Sequence, residues 1–142
     1  MTTMRLAEAQ KIATTEIKAI LDEAGLENAR TATSTDNTKI RYYYNRGEDI
    51  SMEGTETLLI YGIASLYDSG KADGENFGYY IDIAIDIFTH QDGQSKKILD
   101  LLAKIEDAAH ERGYSMKLDS QETYDNARTV QRLSYTLSRL IY

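Results

Sequence analysis

The chain has 142 residues and a formal net charge of −7 at pH 7, and it contains no cysteine, proline or tryptophan. The absence of cysteine excludes disulfides, thiolate nucleophiles and the common structural zinc sites, and the negative charge disfavours sequence-independent binding to nucleic acid, which needs clustered Lys and Arg. A chain of this length buries enough surface for one core, so we expect a single domain over residues 1–142.

Apolar residues recur at three- and four-residue spacing from Leu6 to Ala24. This spacing predicts an amphipathic helix over residues 4–24, capped by Thr2 or Thr3 and ended by Gly25. No apolar run approaches the roughly 20 residues of a membrane-spanning helix, and no apolar signal-peptide block precedes this helix. We therefore expect no membrane association and a cytoplasmic location.

Three strands follow in the sequence. The first covers residues 40–44 with three consecutive tyrosines, and the second covers residues 57–67, with Gly62 as a bulge or a close-packing point. The clearest covers residues 79–89, where four isoleucines alternate with Asp82, Ala84, Asp86 and Phe88. This period of two predicts that one face of the strand belongs to the core.

A second helix is predicted over residues 95–112, ended by Gly113, and it is followed by an extended segment at 114–118 and a terminal strand at 130–142. The order of elements predicts an α+β fold. We expect a mostly antiparallel sheet with a long hairpin, and two helices packed on one of its faces.

Two polar, glycine-containing segments, residues 45–56 and 68–78, are predicted surface loops. Loops of this kind commonly carry contacts to other proteins. As candidate contact residues we take Arg46, Glu48, Asp49, Asp68, Lys71, Asp73 and Glu75.

Catalytic chemistry finds little support in the sequence. His90 and His110 lie far apart in the sequence and outside any catalytic motif, and no nucleophile elbow or phosphate-binding loop is present. Asp82 and Asp86, with Asp92 in the next turn, could bind a divalent cation, but charged residues opposite a buried isoleucine face more often form a solvated face or a subunit interface. We expect no enzymatic activity, no metal and no cofactor.

Charge is unevenly distributed. Residues 68–92 are acidic, whereas residues 126–142 contain Arg128, Arg132 and Arg139 and no acid. Two interpretations stay open: the acidic surface of one copy meets the basic surface of the next in a head-to-tail ring, or the charges pair within one subunit. In the first, Asp82, Asp86 and the three arginines form the subunit interface.

The tyrosines at 42–44, with Arg41 and Arg46 nearby, have the composition of a platform for single-stranded nucleic acid. Neighbouring residues of a strand face opposite sides, however, so Tyr43 should point away from Tyr42 and Tyr44. A combined core and interface role is the favoured interpretation.

The strand YYIDIAIDIFTHQDG, the helix SKKILDLLAKIEDAAHERG and the terminal strand RTVQRLSYTLSRLIY resemble tail terminator and tail-completion proteins of long-tailed bacteriophages. The resemblance spans most of the chain. It implies a ring, usually hexameric, that caps the tail tube, stops its polymerisation and joins it to the neck. The implied partners are further copies of the chain, the tail tube protein, a neck or head-completion protein and the sheath, without sequence-specific nucleic acid. The implied location is the host cytoplasm during assembly, then the virion or a tail-like particle.

Other interpretations remain. Another neck component, such as a head-closure or adaptor protein, or a tail-tube-like subunit fits the same pattern. A monomeric acidic binding or inhibitor protein, acting through residues 68–92, is the alternative from a different class.

Overall fold

The computed structural model describes residues 4–33, 35, 38–45, 55–68, 71–72, 75–76, 78–123 and 129–142, with backbone only at 71–72 and 75–76. The fold is α+β: two helices accompany a six-stranded mixed sheet that is mostly antiparallel and is not closed into a barrel. The predicted fold class is therefore confirmed. In chain order the elements are α1 (Leu6–Glu23), β1 (Glu27–Asn28), β2 (Arg41–Tyr44), β3 (Thr57–Asp68), β4 (Lys71–Ala72), β5 (Glu75–Asn76), β6 (Tyr79–Thr89), α2 (Lys96–Glu111), β7 (Ser115–Thr123) and β8 (Gln131–Ile141).

Both helices end where glycine was predicted to end them. Gly25 and Gly113 have φ angles of 90° and 82°, a left-handed conformation in which a side chain would be strained. At the end of α1 the amide of Leu26 donates to the Leu21 carbonyl at 3.1 Å, and at the end of α2 the amide of Tyr114 donates to the Ala109 carbonyl at 3.0 Å. These bonds satisfy carbonyls that the helices leave free.

The helix starts differ from each other. Ser95 caps α2, because its hydroxyl accepts a hydrogen bond from the Ile98 amide at 3.4 Å. At α1 the N-cap residue is Arg5, whose side chain makes no capping bond. The predicted caps Thr2 and Thr3 lie outside the described residues.

The strand order in the sheet is β1-β2-β3-β6-β8-β7. The β1–β2 and β2–β3 pairs are parallel and the other pairs are antiparallel. Strands β3 and β6 form the predicted long hairpin, paired from Thr57 opposite Thr89 to Asp68 opposite Tyr79, and β4 and β5 form a separate two-stranded ladder between them in the chain.

One core unites both helices with one face of the sheet. Ile81, Ile83, Ile85 and Ile87 on β6 are completely buried, which confirms the predicted alternation. The cluster around them contains the apolar stripes of α1 and α2 together with inward residues of β3 and β8, among them Ile17, Ile20, Leu59, Tyr61, Ile98, Leu101, Ile105, Leu133 and Leu137. Both helices therefore pack on the same face, as expected.

The structure corrects two local predictions and decides between the two roles predicted for Gly62. Strand β1 was not predicted, because two residues carry no periodicity. Strand β7 continues to Thr123 although the sequence predicted an end at Leu118. The bulge of β3 lies between Ile63 and Ser65, and Gly62 is instead a close-packing point, since a Cβ there would collide with the Asn45 side chain.

Candidate interaction surface

The face of the six-stranded sheet that lies opposite α1 and α2, which we call the open face, is the candidate site. Alternation along β6 places Asp82, Ala84 and Asp86 on this face, while the isoleucines between them face the helices. Within the described part of the chain, no helix covers the open face. A sheet side left without a helix is available for contacts to other chains.

Serine hydroxyls donate hydrogen bonds to both oxygens of the Asp82 carboxylate. Ser65 on β3 donates to its Oδ2 at 2.7 Å, and Ser138 on β8 donates to its Oδ1 at 2.6 Å. All three residues lie in one row across three neighbouring strands. Asp82 therefore stabilises the sheet from within the subunit.

Asp86 has a similar arrangement with one cationic partner. Ser134 donates to its Oδ1 at 2.7 Å, and the Arg132 guanidinium lies 3.2 Å from its Oδ2. Arg132 also lies 3.3 Å from Glu122 on β7. Of the two interpretations that the sequence left open, the structure thus displays charge pairing within the subunit at this position.

The guanidinium of Arg132 also lies over the ring of Phe88, 5.9 Å from its centroid. Phe88 forms a second, small apolar cluster with Leu58 and Val130 at this end of the open face, and Ile60 packs against the cluster. One end of the open face is therefore apolar and partly shielded by an arginine.

Arg139 lies on the other side of the sheet. It donates to Glu16 on α1 at 2.5 Å and to the Arg112 carbonyl at 2.9 Å, and its guanidinium lies 5.5 Å from the centroid of the Tyr114 ring. Residues 132 and 139 are an odd number of positions apart in one strand and so face opposite sides. The grouping of Arg139 with Arg132 in one basic surface was therefore wrong.

Two tyrosines form the most exposed aromatic pair of the open face. Tyr67 on β3 lies directly opposite Tyr80 on β6, with ring centroids 5.5 Å apart. Their exposed fractions are 53% and 42%. They lie at the end of the long hairpin where the chain leads into β4 and β5.

The bulge in β3 creates this pair. Before the bulge Ile63 lies opposite Ile83 and faces the helices; after it Ser65 lies opposite Asp82 and Tyr67 opposite Tyr80. One extra residue reverses the alternation, so Tyr67 is carried from the core side to the open face. The pair is not evident from the sequence, because the position of the bulge sets its register.

The three consecutive tyrosines of β2 do not form one platform. Tyr42 and Tyr43 face opposite sides, as predicted: Tyr42 belongs to the main core and Tyr43 packs against the small cluster of the open face. The Tyr42 hydroxyl donates to Asp22 at 2.6 Å. Burial is the main cause that raises the pKa of Tyr42, and this hydrogen bond is the second.

Tyr44 instead lines a cavity of about 550 Å³ beside α1. Its ring lies 5.4 Å from that of Tyr61 between centroids, and Lys18 and Arg30 are part of the wall. Tyr61 is buried and Tyr44 is half exposed. The rings of Tyr44 and Tyr61 therefore form an aromatic contact between β2 and β3 rather than along β2.

His90 and Asp92 form hydrogen bonds with backbone groups. His90 Nδ1 lies 2.9 Å from the Thr129 carbonyl, His110 lies in the last turn of α2, and Asp92 Oδ1 accepts a hydrogen bond from the Gln94 amide at 2.9 Å. Nowhere among the described residues do three potential metal-ligating side chains converge.

The predicted contact loops are described only in part. Arg46, Glu48, Asp49, Asp73 and Arg128 lie outside the described residues, and Lys71 and Glu75 lie in β4 and β5 without described side chains. Asp68 is the exposed last residue of β3, opposite Tyr79.

Comparison with known proteins adds no assignment. No protein-family model matches the chain, and no curated protein matches its sequence. In the described part of the chain, neither helix is sufficiently long and apolar to span a membrane.

Proposed function

We propose that the chain is a structural subunit of a long-tailed bacteriophage, a tail terminator that assembles into a ring and has no enzymatic activity. The ring caps the tail tube, stops its polymerisation and joins it to the neck. Its partners are further copies of itself, the tube protein and a neck protein, with the sheath as a further neighbour. The resemblance of the β6-α2-β8 segments to such proteins motivates the proposal.

The Tyr67–Tyr80 pair is the observation that carries it. Tyrosine is enriched at the centres of protein interfaces, because its ring supplies contact area at a low cost in side-chain entropy and its hydroxyl tolerates water. Two adjacent rings left about half exposed on a helix-free sheet favour burial against another chain. We assign this pair to the contact between neighbouring subunits.

The sheet geometry supports a head-to-tail contact. The open face is continuous across β3, β6 and β8, and the two edge strands, β1 and β7, lie at opposite ends of the sheet. Different surfaces that meet in successive copies produce rings when the rotation closes. Asp82 and Asp86 support this face from within through serine hydroxyls and Arg132, so the aromatic pair, rather than these carboxylates, provides the contact.

The test replaces both tyrosine side chains of the pair. We expect the Tyr67→Ser/Tyr80→Ser double variant to keep its circular dichroism spectrum but to lose the rings that the parent chain forms in electron micrographs. Tyr44→Ser is the matched control, since Tyr44 is also about half exposed but lies in the cavity beside α1. Rings that persist in the double variant would contradict the assignment of the pair.

The same preparation separates the alternatives. Rings that bind heads and ignore tail tubes favour a head-closure or adaptor protein, and rings that stack into tubes favour a tube-like subunit. A chain that stays monomeric and forms a salt-sensitive one-to-one complex with a basic protein favours the acidic binding protein.

A further inference from the structure

Among the described strands, none pairs with the outer side of the edge strand β7. It pairs with β8 along its length, from Ser115 opposite Ser138 to Thr123 opposite Gln131, and it is the last strand of the sheet. Nearly all its side chains are exposed; only Met116 is half buried. A nine-residue edge presents a row of backbone donors and acceptors to any strand that approaches.

An apolar groove adjoins this edge on the helix side. It lies between α2 and β7, has a volume of about 340 Å³, and is lined mainly by Leu99, Leu102, Met116, Leu118 and Tyr135. Leu118 and Leu99 are 50% and 45% exposed. Exposed leucines beside a free edge favour a partner that covers both.

Charges on the other side of β7 are self-complementary. Lys117 and Asp119 flank Leu118 and both point to the open face: Lys117 lies opposite Thr136, and the Thr136 hydroxyl donates to Asp119 at 2.5 Å. Their side chains form an ion pair at 3.3 Å within the strand. In an antiparallel pair centred on Leu118, Lys117 of each strand lies opposite Asp119 of the other.

We propose that two copies of the chain associate through their β7 strands, antiparallel and across a two-fold axis at Leu118. In this contact Leu118 of one copy packs against Leu118 of the other, next to the apolar groove of each copy. Two Lys117–Asp119 pairs also form between the copies. The interface is isologous, since the same residues serve on both sides.

The β7 bulge agrees with this register. It lies between Leu118 and Ser120, where the strand gains one residue relative to β8. If the bulge has the same relation to the second copy, Asp119 and Ser120 both lie opposite Lys117, and Met116 lies opposite Gln121, both on the helix side of the strand. Each side chain then meets one from the same face.

The charges of β7 determine which strands can pair with its edge. A lysine on an edge strand normally discourages pairing, because a like charge on the incoming strand repels it. Here the residue opposite Lys117 is an aspartate, and opposite charges in cross-strand positions are favourable. Lys117 therefore disfavours pairing with other strands but permits pairing with β7 of a second copy.

This contact is independent of the proposed ring. A two-fold contact closes on itself after two copies, whereas the ring needs a head-to-tail contact, which we place at Tyr67 and Tyr80. Loss of one contact leaves the other intact, and each has its own readout.

Disulfide formation at position 118 tests the proposal directly, because the chain has no cysteine of its own. Residues directly opposite in an antiparallel pair have Cα atoms about 4.5–5.5 Å apart, within the range of roughly 4.4–6.8 Å for disulfides. We expect Leu118→Cys to form a covalent dimer under mild oxidation. Leu6→Cys is the control, as Leu6 is also 50% exposed but lies on α1; equal crosslinking of both variants would overturn the proposal.

A charge exchange provides the second test. In the Tyr67→Ser/Tyr80→Ser background, which lacks the proposed ring contact, we expect Lys117→Asp and Asp119→Lys each to raise the dimer dissociation constant by about tenfold, because each creates two like-charge contacts. The double exchange restores opposite charges across the axis and should return the constant towards that of the parent chain in sedimentation equilibrium. A double variant no tighter than the single variants would overturn the proposed register.

Discussion

Arg132 on β8 contacts Asp86 on β6 at 3.2 Å, diagonally across the pair of strands. Ser134, directly opposite Asp86, donates a hydrogen bond to the other oxygen of the carboxylate. Charges that are 46 residues apart in the sequence are thus paired inside one subunit. Because these charges already have partners, we place the proposed contacts between copies on the aromatic and edge-strand surfaces.

Loss of the Asp86 carboxylate should destabilise the fold. Asp86→Ala leaves the Ser134 hydroxyl and the Arg132 guanidinium without this acceptor, which costs about 1–3 kcal/mol in the free energy of unfolding. Asp100→Ala is the control, because Asp100 belongs to an exposed pair with Lys96 on α2 and should cost less than about 1 kcal/mol. Urea unfolding measures both, and equal losses would contradict the structural role of Asp86.

The Glu16–Arg139 pair should show strong coupling. Arg139→Met leaves the partly buried Glu16 carboxylate without its cation, and Glu16→Gln leaves Arg139 with a neutral partner. We expect the first variant to lose about 2–3 kcal/mol of stability. In a double-mutant cycle the double variant should lose less than the sum of the two single losses, and strict additivity would show that the pair contributes nothing.

The isoleucine row of β6 should dominate stability. Ile83 is completely buried in a central strand, so Ile83→Ala should cost about 2–5 kcal/mol in the free energy of unfolding. Ile12 on α1 is 36% exposed, and Ile12→Ala should cost less than about 1 kcal/mol in the free energy of unfolding. Similar losses at both positions would contradict the location of the core.

Acid should weaken the contact between the ends of the two helices. A hydrogen bond from Arg112 holds the pKa of Glu23 below its ordinary value of 4.5. Because the pKa is lower in the folded chain, the contribution to stability is complete above the unfolded pKa and disappears as the pH falls through the folded pKa. The parent chain should thus lose more stability than Arg112→Gln between about pH 5 and about pH 3; parallel losses in urea titrations would count against the bond.

Deletion of the extra residue tests the position of the β3 bulge. Removing Ala64 makes Ser65 follow Ile63 directly, so Ser65 stays opposite Asp82 and Tyr67 stays opposite Tyr80 on the open face. We expect unchanged quenching of tyrosine fluorescence by iodide and intact ring assembly. Removing Ser65 as well reverses the alternation and turns Tyr67 towards the helices, so this variant should show lower quenching and no rings; lower quenching in the Ala64 deletion alone would contradict the position of the bulge.

The alternation of β6 and the ends of both helices were predictable from the sequence. Ile81 to Ile87 reveal their face by alternation, and Gly25 and Gly113 mark the helix ends because few other residues adopt their backbone angles. The opposite faces of Arg132 and Arg139 also follow from their odd spacing, so the sequence already contained the information against one basic surface.

Features that depend on pairing between distant segments were not predictable. Tyr67 meets Tyr80 because of a bulge that no residue type in β3 demands. The second half of β7, from Asp119 to Thr123, has polar side chains on both faces, since an edge strand needs no apolar alternation. Both features define the surfaces on which the proposed contacts depend.

The mass of the purified chain in solution, alone and with tail tubes, tests the central claim most directly. We expect sedimentation velocity to show closed particles of about six chain masses, or about twice that number where two rings associate through β7, each chain having a mass of 16.1 kDa, and these particles should attach to tube ends in electron micrographs and stop their growth. A chain that sediments as a monomer at every concentration, and leaves tube ends bare and growing, would contradict the account.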